Sequence, residues 1–539
     1  MRILIYLEPH PIRDSFTLFL SIGRQFAAML NLNPASLKGR IGHCDARIYG
    51  NRETLENLSK GHSGIDPFLI WPKSEEQALF QSYSKDWTTE GMREWIDLIR
   101  GDGDICRAYQ NVLEEIYRRF RFDILVHWGD NGAVKAFTDT SDTARVTMEL
   151  GCTRPPFFDS IVFDPLGANG STFPSHASLP AILKSVGRSA WPAAADLLAF
   201  SETLEARAYE GAVRPTPFPG RERLLTRGSR PAVFLPLQLH DDANLLVYSD
   251  FATPADVVER TVAPLADHGF VSVVKPHPAS LQRPGGAAAL EAAQDAALSF
   301  RDRVVWVDHK GPKVDNSELF GLTDGVVTVN SSVGFESLYF EKPLCVLGSA
   351  TYRPLGLFPR LEDFVAGNFS FEEYRRNIAA LRAFFLRAYL IDSVDAFQYA
   401  TFIERVIGAV ELKRTAQDDP DRMVSVTYNK YADDRLALRR NALRAGIPWN
   451  TALRSSRSAK LAVSAKPPPA SITRAAIALV ERIAPGPAKG PARKAAVRIL
   501  DFVRSRISPR QREKLVRAYR RLRGITLRGH AETEPAAKP

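Results

Sequence analysis

Two successive trains of short β-branched runs, each alternating with longer amphipathic segments, predict an α/β chain. Its expected form is two Rossmann-like, doubly wound domains facing a cleft, followed by a basic tail that is helical or disordered. Length supports more than one core, since 539 residues exceed what a single one organises. Charge sets the tail apart. Residues 451–539 carry 21 Lys+Arg against 5 Asp+Glu, which leaves 50 against 56 for residues 1–450. The formal net charge of +10 therefore belongs to the C-terminal segment, and the first 450 residues offer no nucleic-acid-binding surface by charge.

In the first train, RILIYLEP (2–9) reads as a strand and SFTLFLSIGRQFAAML (15–30) as an amphipathic helix opened by Ser15. ICRAYQNVLEEIYRRFRF (105–122) is a strong helix, and the strands DILVHWGDN and ARVTMELG follow it. TRPPFFDSIVFDPLGANGSTFPS (153–175) reads as a Pro- and Gly-rich loop, and RPTPFPGRERLLTRGSRP (214–231) as a domain connection. The second train starts at AVFLPLQL (232–239). It continues through the helix PADVVERTVAPLADHG, the strand VSVVKPHP, the helix AALEAAQDAALSF and the strand RVVWVD. The short helix NSELFGL, the strand GVVTVNSS, the helix VGFESLYFE and the strand PLCVLG complete it. The expected divisions are 1–205 for an N-terminal Rossmann-like domain, 206–230 for a linker and 231–412 for a C-terminal Rossmann-like domain. A connecting segment spans 413–450 and the tail 451–539. Two such units across a cleft describe the GT-B arrangement of many nucleotide-sugar glycosyltransferases.

The four cysteines are scattered, with no CxxC pair and no zinc-ligand spacing, which suits small core residues in a reducing compartment. Met1-Arg2 runs straight into ILIYLEP, too short for a signal peptide, and no apolar run reaches the roughly 18 residues of a membrane span. The expectation is a cytoplasmic protein, peripheral on the inner face of the plasma membrane if the tail binds there.

Four polar clusters fall at predicted strand ends, the edge where open α/β sheets bind ligands. PLQLHDDAN supplies Gln238, Asp241 and Asp242, and KPHP supplies Lys275 and His277. VNSSVGFES supplies Asn330, Ser331, Ser332, Gly334 and Glu336, and MELGCTRP supplies Glu149 and Arg154. Pro276 and Pro278 should end the strand before His277, since proline fixes φ and donates no hydrogen bond. Ser331 and Ser332 at a helix start cap free N–H groups, and Gly334 allows close backbone approach, together making an anion site or an ordinary N-cap. Glu336 either holds a ribose hydroxyl or is a solvated first-turn acid. His277 either donates to a phosphate or protonates it.

These clusters resemble the capsule polysaccharide synthesis and export family, whose members transfer Kdo (3-deoxy-manno-octulosonic acid) from CMP-Kdo. The matching stretches are FLPLQLHDDANLL, VVKPHP, VVTVNSSVGFESLYFEKPLCVLGSATY, HWGDN and ELGCTRPPFFDSIVFDPLGANGSTFP, in that family's order, over roughly residues 120–360. The resemblance implies retention of anomeric configuration through a carboxylate nucleophile, which falls on Asp242 with Asp241 its rival. It implies Glu149 as acid/base for the acceptor hydroxyl, and no metal or other cofactor. His277, Ser331 and Ser332 would stabilise the CMP phosphate, with Gln238, Lys275, Asn330, Gly334 and Glu336 around the nucleotide. Arg154 either pairs with the Kdo carboxylate or makes a structural ion pair. The partners implied are CMP-Kdo and a lipid-linked or glycan acceptor. Rival readings are a transferase using a UDP-sugar or a CDP-alditol, and a non-catalytic export or glycan-binding subunit. For the tail, apolar stripes at Ile499/Leu500/Val503/Ile507 and Leu515/Tyr519/Leu522 beside clustered Arg favour an anionic membrane surface over nucleic acid.

Overall fold

Aliphatic runs buried on both faces build two separate sheets. The computed structural model describes residues 1–9, 15–31, 44–82, 90–154, 159–188, 216–308, 311 and 313–444. Residues 206–215 of the expected linker and the whole basic tail, with its apolar stripes, lie outside these residues.

The first sheet comprises β1 (Arg2–Tyr6), β2 (Asp45–Tyr49), β3 (Leu69–Ile70), β4 (Ile124–Trp128), β5 (Ala144–Leu150) and β6 (Ser160–Asp164). The second comprises β7 (Ala232–Pro236), β8 (Val271–Lys275), β9 (Val304–Trp306), β10 (Gly325–Thr328) and β11 (Leu344–Val346). A last strand, β12 (Ile391–Asp392), joins the first sheet, whose order is β12-β6-β5-β4-β1-β2-β3. The second sheet runs β11-β10-β7-β8-β9 and is parallel throughout. Ile3, Leu4 and Ile5 of β1 and Val233, Phe234 and Leu235 of β7 are all fully buried, as central parallel strands with helices on both faces require.

Three differences from the sequence reading have physical causes. Ser160–Asp164, inside the expected Pro/Gly loop, is a fully buried strand paired antiparallel with β5, because SIVFD is long enough to bridge despite its flanking turns. The first sheet is thus mixed rather than parallel. Residues 391–412 fall within the expected second domain, and 413–416 within the expected connecting segment. Instead, β12 pairs antiparallel with β6, and the helix Tyr399–Ala416 buries Phe402, Ile403 and Val406 in the first domain's core.

The two domains are fastened side by side. Tyr248 of the second donates to the Asp130 carboxylate of the first and lies 3.0 Å from the Ser171 hydroxyl. Thr351 donates to the Asn169 carbonyl at 2.9 Å. Gly170 sits at the closest approach, where a Cβ would come within 2.5 Å of Ser349 and 2.6 Å of Tyr248, so a side chain there would force the domains apart.

Candidate functional site

In each sheet the strand order reverses between two neighbours, β1 and β4 in the first, β7 and β10 in the second. The crevice outside the carboxyl ends at such points is where doubly wound sheets take ligands. Both points are bridged by polar side chains. In the second sheet Gln238, just past β7, donates to Asn330, just past β10, at 2.7 Å. The Asn330 amide in turn holds the Asn244 and Ser349 carbonyls at 2.7 and 3.1 Å. In the first, Asn131 beyond β4 donates to Glu8 beyond β1.

Between the two reversal points lies a cavity of about 400 Å³. Eight of the twelve sequence candidates line it: Glu149 and Arg154 from the first domain, Gln238, Asp242, His277, Asn330, Ser331 and Ser332 from the second. Asp242 caps the short helix Ala243–Leu246, its Oδ1 accepting the Asn244 N–H at 2.9 Å, while Asp241 is fully buried with the Arg283 guanidinium 4.0 Å away. Of the adjacent pair, only Asp242 reaches the cavity wall.

Glu149 closes β5 and accepts the Leu150 N–H at 2.7 Å. Burial, reinforced by the Asp130 and Asp242 charges, pushes its carboxyl up to about 7, against the pull of Arg154 and that N–H. Asp130 is pushed up to about 6 by burial, although Tyr248 and the Ala168 N–H hydrogen-bond its ionised form. The expected end of β8 at Lys275 is observed. His277 Nδ1 accepts the Ala279 N–H at 3.1 Å, so the neutral ring carries its proton on Nε2. Burial lowers the His277 pKa, outweighing the Asp242 charge, so the ring is a neutral donor rather than an acid. Ser331 caps the helix Ser332–Ser337 through Val333 N–H at 3.4 Å.

Besides Asp241, three candidates do not line the cavity. Lys275 donates to the Val314 carbonyl and Asn316 Oδ1 at 2.8 and 2.7 Å, and Asn316 donates to Glu336 at 3.3 Å, so this trio stands together behind the wall. Gly334 has another task than admitting a ligand. A Cβ there would lie 2.3 Å from the Tyr352 hydroxyl, which donates to the Ser331 carbonyl at 2.5 Å. Arg154 makes no ion pair among the described residues; it donates to the Gly151 and Thr153 carbonyls at 2.6 and 2.7 Å. Sequence reasoning passed over Asp130 and Tyr248. Asp130 lay within HWGDN, but only its raised pKa and its cross-domain partner single it out.

Two Rossmann-like domains with convergent strand ends make this a GT-B-like α/β protein. The family model described as capsule polysaccharide biosynthesis protein matches residues 189–362, about a third of the chain. The matched stretch holds Gln238, Asp242, His277, Asn330, Ser331 and Ser332. Among solved structures, the chain is similar to a KpsC β-Kdo 2,7 transferase of Thermosulfurimonas dismutans at 17% identity. That match covers 55% of this chain and 89% of that one, with a TM-score of 0.34. The β-Kdo 2,4 transferase of the same organism's KpsC matches at 16% identity over 53% and 88%, with a TM-score of 0.33. A UDP-GlcNAc 2-epimerase of Neisseria meningitidis bound to UDP-GlcNAc matches at 10% over 76% and 100%, with a TM-score of 0.28. No curated protein matches the chain. Among the described residues, no helix is long and apolar enough to cross a membrane.

Proposed function

We propose that this chain is a glycosyltransferase of capsular polysaccharide biosynthesis that moves Kdo from CMP-Kdo to a lipid-linked or glycan acceptor. The observation that carries the reading is the meeting of Asp242, His277, Ser331 and Ser332 with Glu149 around one cavity, from opposite domains. CMP leaves as a monophosphate, so neutral donors suffice to hold it: His277 through Nε2–H and the two serine hydroxyls. The Asp242 carboxylate attacks the anomeric carbon of Kdo as the bond to the phosphate oxygen breaks, and the electron pair departs with CMP. The acceptor hydroxyl then displaces Asp242 from that carbon and gives its proton to Glu149. Two inversions restore the starting configuration. A carboxyl with a pKa near 7 is suited to that proton, since it is partly ionised at neutral pH and protonated once the step is over.

Titrating purified protein with CMP, UDP, GDP and CDP tests the donor. CMP should bind in clear preference; binding of UDP alone would reject the reading. We also propose that the basic segment 451–539 holds the enzyme at an anionic membrane surface, near a lipid-linked acceptor. Clustered Lys/Arg contribute about 1 kcal/mol each there. The full chain should sediment with anionic vesicles, reversibly in high salt, and a chain ending at Asn450 should not; equal sedimentation of both would remove the tail from this role.

A further inference from the structure

A second cavity, of about 790 Å³, opens beside the first and shares Ile99 and Asp130 with it. Its size falls within the roughly 300–1,000 Å³ of small-molecule sites. Its floor is an anomaly of β5. A strand central to a largely parallel sheet is normally apolar on both faces, and Val146 and Met148 obey this by facing the core. The alternate residues Arg145, Thr147 and Glu149 share the other face. Glu149 reaches the first cavity, while Thr147 and Arg145 line the second, so one strand forms a polar rail running about 13 Å from one to the other. His127, the register partner of Thr147 on β4, lies 2.9 Å from the Thr147 hydroxyl through Nε2.

Arg145 is only 6% exposed and lines this space. It donates to the Thr138 hydroxyl and the Leu166 carbonyl, both at 3.2 Å, but its nearest carboxylate among the described residues is that of the exposed Asp139, 3.7 Å away. A buried guanidinium normally has a close carboxylate or phosphate to offset its lost hydration. Lys135 and Lys413 add positive charge at the walls, the latter 3.9 Å from Asp418.

Building on the transferase reading above, we propose that the second cavity is the subsite for an anionic saccharide unit of the acceptor. Its carboxylate or phosphate meets Arg145 and Lys135, and its hydroxyls meet Thr147 and Thr138. The hydroxyl to be glycosylated then lies further along the rail, at Glu149.

Ligand-observed saturation-transfer NMR on the full chain tests this with three probes: methyl glucopyranoside, methyl glucopyranosiduronate and glucose 1-phosphate. At least one charged probe should bind about tenfold or more tighter than the neutral one, as hydrogen bonds to a charged group imply. Which of the two binds tells carboxylate from phosphate. Saturating CMP should not displace it, and Lys135→Glu and Arg145→Gln should each weaken it about tenfold. Lys135 is exposed on its helix, so Lys135→Glu carries the test if Arg145→Gln does not fold. Equal binding of the neutral probe, displacement by CMP, or unchanged binding in Lys135→Glu would overturn the assignment. Failure of CMP to bind while charged saccharides still do would instead reject the transferase reading and leave the anionic subsite standing.

Discussion

The two walls of the central cavity are built on opposite electrostatic plans. On the second-domain wall, neutral groups are tied down by hydrogen bonds: Gln238 to Asn330, Asn330 to two carbonyls, His277 to the Ala279 N–H, Ser331 to its helix. On the first-domain wall, burial lifts the Glu149 and Asp130 carboxyls to about 7 and 6, the Asp130 and Asp242 charges adding to the rise at Glu149. One wall is fixed and donates hydrogen bonds without changing charge; the other gains and loses protons near neutrality. Asp242 is the exception on the fixed wall, a carboxylate whose charge is felt by both Glu149 and His277. Under the proposed function, the difference becomes a division of labour in which one domain would hold a nucleotide and its leaving group while the other would serve the incoming hydroxyl.

The sharpest way to break this division is at the exception. Asp242→Asn should keep the cap on the helix Ala243–Leu246, since Asn caps as well as Asp. It should still cost transfer roughly three orders of magnitude or more, with CMP affinity nearly unchanged. A steady-state assay beside a CMP titration checks both, and undiminished transfer would move the nucleophile to Asp241.

Glu149→Gln addresses the other wall. Transfer to acceptor should fall about a hundredfold or more, while release of CMP from donor alone persists. In the unaltered protein, transfer should rise as pH passes through about 7 and Glu149 ionises, and the variant should lose that rise. Stability carries the same signature with its own sign. An unfolded Glu ionises near about 4.3, so between that pH and 7 the folded state binds more protons and loses stability as pH rises. Denaturant melts across this window should show a shallower decline for Glu149→Gln than for the parent, and parallel declines would contradict the raised pKa.

How much of this was legible in the sequence also differs between the walls. The second domain announces itself, because proline and serine punctuate its strand ends: Pro276 and Pro278 stop β8, and Ser331 starts a helix. In the first domain the signal was a period-two alternation in ARVTMEL, with Arg, Thr and Glu on one face. It went unread because only Glu149 sat in a recognisable motif. The packing over Gly334 was hidden for a different reason. The atom that fills its space, the Tyr352 hydroxyl, arrives through tertiary packing that no local pattern encodes. β12 is two residues long and exists only because β6 offers it an edge.

Smaller effects sharpen the fixed wall. His277→Ala, Ser331→Ala and Ser332→Ala should each weaken CMP by about 1 to 3 kcal/mol, the range for a hydrogen bond to a charged group, and leave cytidine little changed. Calorimetric titration with both ligands separates this from damage to the fold, which would weaken the two equally. Smallest is the fastening between the walls. Tyr248→Phe removes the donor to Asp130 and the Ser171 contact, and should cost about 1 kcal/mol of stability while raising the Asp130 pKa further. Carboxyl-region NMR titration reads the second effect, and an unmoved Asp130 would show that the hydroxyl does not govern it.

The central claim, that Asp242 on the fixed wall takes the sugar before the proton-carrying wall delivers it, is tested most directly by mass. Intact-protein and peptide mass spectrometry of Glu149→Gln, incubated with CMP-Kdo and no acceptor, should find one Kdo residue on the peptide containing Asp242, with CMP released in equal amount. An unmodified chain under conditions where the unaltered protein transfers Kdo to acceptor, or a Kdo residue carried on any other side chain, would contradict it.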